Sequence, residues 1–322
     1  MKLPVDLRDI MTSGSKLSEE RAKPVRIAVF VDIDAPDSLV MAIQEALRPH
    51  TGSARLHVEV VGPGEMLLVD PVTDAVVALC GTGTNLDESL VRAREAGVPT
   101  ALLAIGQETD GLSRRFKHPL LDTLTAEEPA DVVTRLGVWL ADRLSGKHIA
   151  LAANFTFVRR AVAIESVKST AFQNGVIGGV MIIPGADLPL MTANQAKMVL
   201  QIAASYGEPL GAERIRELAA VLGGAFAFRA IARQALAFVP GFGWAIKAGI
   251  GYSGTLAMGY AAIQYFESGA DLSGLADKLK EARDGVVETA RSRKLPAADD
   301  EAPIPAHAYV VAGHTDGQVS DS

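Results

Sequence analysis

Hydrophobic positions change their period near the middle of this chain. Before residue 145, short β-branched runs alternate with amphipathic stretches. Strands are predicted at Arg26–Val31, Leu56–Val61, Asp74–Cys80 and Thr100–Ile105, with a further one at Leu120–Leu124. Helices are predicted at Asp37–Leu47, Leu86–Ala96 and Pro129–Leu144. Strands interleaved with helices at this spacing build βα units and a mostly parallel sheet. The unbroken apolar run Ile27-Ala28-Val29-Phe30-Val31 suits a strand covered on both faces.

After Ser145-Gly146 the pattern turns helical through about Phe266, rich in Ala, Gly and Leu. Leu188, Met191, Gln195, Met198, Val199, Ile202 and Tyr206 fall on one helical stripe, which Asp187 can cap and Gly207 can end. Asn194 and Gln195 on that segment read as interhelix polar groups. A last amphipathic helix is expected at Leu272–Val287. The expected organisation is a polar leader (1–24, with one helical turn near Leu7–Met11), an α/β domain (25–147), a helical domain (148–288) and a disordered tail (289–322). The fold class is therefore a Rossmann-like α/β domain followed by an all-α bundle.

Two matching corners punctuate the helical half. Ile183-Pro184-Gly185-Ala186-Asp187 and Val239-Pro240-Gly241-Phe242-Gly243 each follow a Gly/Ala-rich run and open another helical pattern. Each reads as the bend of a helical hairpin. Small residues recur every four positions at Ala171, Gly175 and Gly179, at Ala219, Gly223 and Ala227, and at Ala245, Gly249, Ser253, Ala257 and Ala261. Such ridges let helix backbones approach closely, in soluble bundles and in membranes alike. From Gln234 to Phe266 only Lys247 is charged, yet Pro240 interrupts the run. A compact bundle and a membrane-associated hairpin both remain compatible with this segment.

Composition narrows the function classes. The 322 residues are 48% hydrophobic, enough for a large core, and the formal net charge of −7 gives no general attraction to nucleic acid. Arg214, Arg216, Arg229, Arg233 and Lys247 form a local basic group that reads as solvated helix faces. Cys80 is the only cysteine, which excludes an intrachain disulfide and suits a reducing cytoplasmic location. The six histidines show no metal-binding spacing, and the N-terminus lacks the apolar core of a signal peptide. No metal site is expected.

Residues 158–265 resemble the domain-of-unknown-function family 697. The resemblance is carried by Arg160, Ala161, the corner Ile183–Asp187, Gln195, Met198, Tyr206-Gly207, Val239-Pro240-Gly241 and Gly259. It covers about a third of the chain. It implies that residues 25–145 occupy the position of an Era-like GTPase domain, and that membrane association belongs to the expected properties.

The residues of that domain depart from a working GTPase. A P-loop needs GxxxxGK[ST], so that glycine amides wrap phosphate and a lysine supplies positive charge. Val31–Ser38 places Pro36 at the second glycine and Asp37 at the lysine, and only Ser38 fits. Asp32 and Asp34 add negative charge where phosphate would sit. Gly106-Gln107-Glu108-Thr109-Asp110 carries no NKxD, and a DxxG switch is not recognisable.

Two loops remain as candidates. Asp32 and Asp34 resemble the DxD of haloacid-dehalogenase-like phosphatases, and Mg²⁺ chemistry there would need carboxylates from further strand ends, such as Asp70, Asp74 or Asp87. The alternative reading makes Asp34 or Asp37 a cap for the following helix. Gly81-Thr82-Gly83 could form a small anion-binding nest, whereas Asn85 with Glu88 has capping-box spacing. Cys80 as a nucleophile lacks a nearby histidine. The expected function is non-catalytic association with a protein partner or membrane surface, including self-association through the helical half, with no cofactor. The alternative is a nucleotide- or Mg-dependent phosphate-handling enzyme using Asp32, Asp34 and Asp37.

Overall fold

The computed structural model describes residues 7–83, 85–106, 117–180, 187–208 and 243–268. Strands β1 (Val25–Asp32), β2 (Ala54–Val61), β3 (Ala75–Leu79), β4 (Thr100–Ile105) and β5 (Leu121–Ala126) form one parallel sheet in the order β2-β1-β3-β4-β5. Helices α2 (Asp37–Ala46) and α4 (Pro129–Arg143) cover one face, and α3 (Asp87–Glu95) covers the other. This is the Rossmann-like α/β arrangement read from the strand–helix alternation. Every strand and helix predicted between residues 25 and 147 lies within two residues of its observed bounds.

Alternation along the buried strands fills both cores. Ile27, Val29, Val77, Leu79, Ala101 and Leu103 meet Leu39, Ile43, Leu136 and Leu140 on one face. Ala28, Phe30, Val76, Ala78 and Leu102 meet Leu86, Leu90 and Ala93 on the other. Helix α3 stops at Gly97, whose φ of 72° suits a residue without a Cβ. There Val98 N–H donates to Ala93 O and Gly97 N–H to Arg94 O, closing a Schellman motif.

The leader is more ordered than its polarity suggests. Leu7–Arg21 forms a 15-residue helix, α1, rather than one turn near Leu7–Met11. Leu17 and Gly14 are buried, because α1 docks on α5 (His148–Asn154) and α7 (Asp187–Ser205).

No loose linker separates the α/β and helical halves. The 3₁₀ turn Ser145–Lys147 runs directly from α4 to α5. The Lys147 ammonium bridges both Asp74 carboxylate oxygens at 2.7 Å and donates to Pro24 O at 2.6 Å. Buried Asn154 accepts from the Thr51 hydroxyl at 2.7 Å and donates to Ser53 Oγ at 2.8 Å. The turn preceding β2 is thereby fixed to α5.

The helical half contains α6 (Arg159–Val180), α7 and α8 (Gly243–Glu267) among its described residues. Helices α6 and α7 flank the first corner and pack on each other, as a hairpin requires. Ala163, Val167, Met198, Val199, Ile202, Met258 and Ile263 form their shared core with α8. The expected stripe holds at Met191, Gln195, Met198, Val199 and Ile202, all buried. Gly207, at φ 86°, ends α7 with a second Schellman motif.

The ridge on α8 is two residues out of register with the one expected. Gly249, Ser253 and Ala257 are exposed, whereas Gly251, Thr255 and Gly259 are buried against α6. A Cβ at Gly251 would lie 2.7 Å from Asn174 O. On α6, Ala171 is buried as expected, with Asn174 and Gly178 continuing that side. Pro184, Gly185, Pro240, Gly241, the ridge at Ala219–Ala227, the basic group Arg214–Arg233, the helix expected at Leu272–Val287 and the tail lie outside the described residues. Asp187 is the first residue of α7.

Candidate functional site

Strand order 2-1-3-4-5 makes β1 and β3 neighbours whose following connections diverge, and such sheets bind ligands outside the strand ends at that point. Both candidate loops converge there. Asp32 ends β1 and is only 2% exposed. Its Oδ1 accepts from the Asp34 amide at 2.9 Å, and its carbonyl accepts from the Ala35 amide at 2.8 Å, which tightens the turn into α2.

The β3 loop closes on this turn. Asn85 Nδ2 donates to Asp32 Oδ1 at 2.9 Å and to Asp34 Oδ2 at 3.3 Å. A Cβ at Gly81 would lie 2.6 Å from the Asp34 carbonyl carbon, so only glycine permits this approach. Gly83 sits 3.4 Å, measured in the same way, from both Asp34 Oδ2 and Asn85 Nδ2. Asp32, Asp34, Gly81 and Gly83 therefore form one cluster. Thr82 is exposed beside it.

The capping expectations are corrected. The N-cap of α2 is Pro36, with no side-chain cap, so neither Asp34 nor Asp37 fills that role. Asp37 and Ser38 are exposed in the first turn of α2, where an acid suits the helix dipole. The N-cap of α3 is Leu86, also without a side-chain cap. Asn85 spends its amide across the loop instead of in a capping box. Its role was hidden because its partners lie about fifty residues away in sequence.

The suggested carboxylate partners do not join the cluster. Asp74 precedes β3, at the opposite end of the sheet, and is engaged by Lys147 and by the Arg26 amide. Asp70 turns its Oδ1 to the Val72 amide, and Asp87 lies in the first turn of α3. Among the described residues, no group of three or more His, Cys, Asp or Glu side chains could hold a metal ion. Cys80 is buried at the end of β3.

A second polar cluster joins the three helices. The Thr255 hydroxyl accepts from Asn174 Nδ2 at 3.0 Å and Gln195 Nε2 at 2.8 Å, and donates to Gly251 O at 2.7 Å. Asn194 Nδ2 reaches Asn174 Oδ1 at 3.0 Å. Asn194 and Gln195 are thus interhelix groups, as expected, and the hydroxyl uses its full hydrogen-bonding capacity.

At the end of the bundle, Tyr206 Oη donates to Glu267 Oε1 at 2.9 Å, and Arg160 pairs with the other Glu267 oxygen. Burial, then the Glu267 bond, pushes the Tyr206 phenol well above the ordinary tyrosine range. The Glu267 bond raises Arg160, whereas burial and the nearby Arg21 lower Arg159.

No described helix is long and apolar enough to cross a membrane. Comparison with protein-family models, curated proteins and solved structures finds no match to this chain.

Proposed function

We propose that this protein binds rather than turns over: a degenerate GTPase-type α/β domain joined to a helical unit of the family 697 kind, which associates with a protein partner or a membrane surface. The observation that carries this reading is the self-occupied mouth between β1 and β3. Asn85 bonds there to Asp32 and Asp34, and Gly81 abuts the Asp34 backbone. Two carboxylates stand where a nucleotide would need amides and a lysine.

Apolar side chains on the helices support the second half of the reading. Phe172 (67% exposed) and Val176 lie one turn apart on α6, and Tyr252 and Tyr260 are exposed on α8 beside the outward Gly249, Ser253 and Ala257. Small residues between aromatic ones offer a surface for close approach by another molecule.

Thermal unfolding with GTP, GDP or ATP, each with and without Mg²⁺, tests the first half. A ligand at a hundredfold excess over its Kd stabilises by about 2.7 kcal/mol, roughly 4 °C for a chain of this size. No rise is expected. A rise abolished by Asp32→Ala would instead establish the phosphate-handling alternative at Asp32, Asp34 and Asp37. Co-sedimentation with anionic vesicles separates a membrane surface from a protein partner.

A further inference from the structure

Among the described residues, strand β2 borders the sheet and bonds only to β1. Val25 N–H donates to Ser53 O and Ile33 N–H to Val61 O, which sets the parity of the whole strand. In a parallel ladder the N–H and C=O of one residue point to the same side. The odd-numbered residues of β2 therefore face β1, and Ala54, Leu56, Val58 and Val60 present their backbone groups outward. The strand is eight residues long and contains neither Pro nor Gly, and Val58 and Val60 are 57% and 58% exposed. Such an edge is a ready template for another strand.

We propose that this edge is a homodimer surface, on which β2 pairs antiparallel with β2 of a second copy about a two-fold axis through His57. The outward groups require even-numbered residues to pair with even-numbered ones, so the axis must pass through a residue of the strand and not between two. Centred on His57, Leu56 meets the second copy's Val58, and Ala54 meets its Val60, as hydrogen-bonded pairs. Arg55 then stands directly opposite the second copy's Glu59, and Glu59 opposite its Arg55. These are non-hydrogen-bonded positions, where side chains come closest.

The adjacent permitted registers lose this match. An axis through Leu56 sets Arg55 against His57 and Glu59 against Ser53. An axis through Val58 sets Arg55 against Val61. Only the His57 register opposes permanent unlike charges, and it does so twice while keeping apolar residues together on the other face. Arg55 is exposed, and the Glu59 carboxylate pairs with His57 of its own strand. The proposal is independent of how the β1/β3 mouth is read.

Sedimentation velocity of the full chain across the micromolar range should show a concentration-dependent dimer. Arg55→Glu or Glu59→Arg alone should weaken it about tenfold, since attraction becomes repulsion at two symmetric pairs. The double variant Arg55→Glu/Glu59→Arg should restore it. Val58→Pro removes an outward N–H without touching the β1 ladder and should leave a folded monomer. A His57→Cys variant should yield a disulfide-linked dimer on mild oxidation, because Cα atoms about 4.5 Å apart suit the bond. A chain that stays monomeric throughout overturns the proposal, as does a dimer indifferent to single charge reversal or not restored by the double one. Should the charge variants fold poorly, absence of the covalent dimer through residue 57 overturns it equally.

Discussion

Asn85 reaches across the mouth of the sheet to donate to Asp32 Oδ1 at 2.9 Å, and the same amide holds Asp34. One neutral side chain thus keeps two carboxylates in adjacent places. Asn85→Ala should lower stability by about 1–3 kcal/mol, the range for leaving a buried acceptor short of a partner. Asn85→Asp should cost more, since it adds a third negative charge to the same cluster. Urea unfolding of the two variants at neutral pH ranks them, and equal stability would remove Asn85 from this role.

The true ridge on α8 can be separated from the apparent one by two substitutions. A Cβ at Gly259 would lie 2.4 Å from a Val167 methyl, whereas nothing lies within 4 Å of one at Gly249. Gly259→Ala should destabilise by about 1–3 kcal/mol through overpacking. Gly249→Ala should stabilise by about 0.5–1 kcal/mol, through helix propensity alone. Thermal melts of opposite sign are the expected result.

Thr255 anchors three helices through one hydroxyl. Thr255→Val keeps the shape and leaves the Asn174 and Gln195 amides short of an acceptor. A loss of about 2 kcal/mol or more is expected, in line with buried donors left unpaired. Thr255→Ser retains the hydroxyl and should lose less. Chemical denaturation of both distinguishes the bond from the packing of the methyl group.

Tyr206 gives the molecule an alkaline limb. Its folded pKa lies above the ordinary value of 10.0 because of burial and the Glu267 bond. The stabilisation is therefore complete below pH 10 and is lost as pH rises through the folded value. The phenolate absorbance of folded protein should include no contribution from Tyr206 near pH 10–11. Tyr206→Phe should leave that spectrum unchanged while flattening the decline of stability above pH 10.

Local signals served the α/β half well, because alternation and helical period are properties of contiguous residues. The failures share a different cause. Gly14 and the polar run around it hid α1, whose helix is set by docking on α5 and α7. On α8, small residues spaced by four occur both at Gly249, Ser253 and Ala257 and at Gly251, Thr255 and Gly259. Periodicity cannot choose between these frames. The choice follows from Asn174 on α6 and Gln195 on α7, whose side-chain amides both donate to the Thr255 hydroxyl. At the mouth of the sheet, Asp32 and Asp34 are legible as neighbours, but spacing alone ties Asn85 to its own helix because its partners are distant in sequence.

The tie between Asn154 and the turn before β2 also sets an order of events during synthesis. Thr51 and Ser53 precede their anchor by 103 and 101 residues. At about 5–20 residues per second, translation delivers that anchor roughly 5–20 s after the turn. Throughout this interval the nascent outer strand has its β1 partner but lacks the lock on its leading turn. Pauses that lengthen the delay should therefore increase mispairing of β2, whereas rapid elongation through Asn154 protects it.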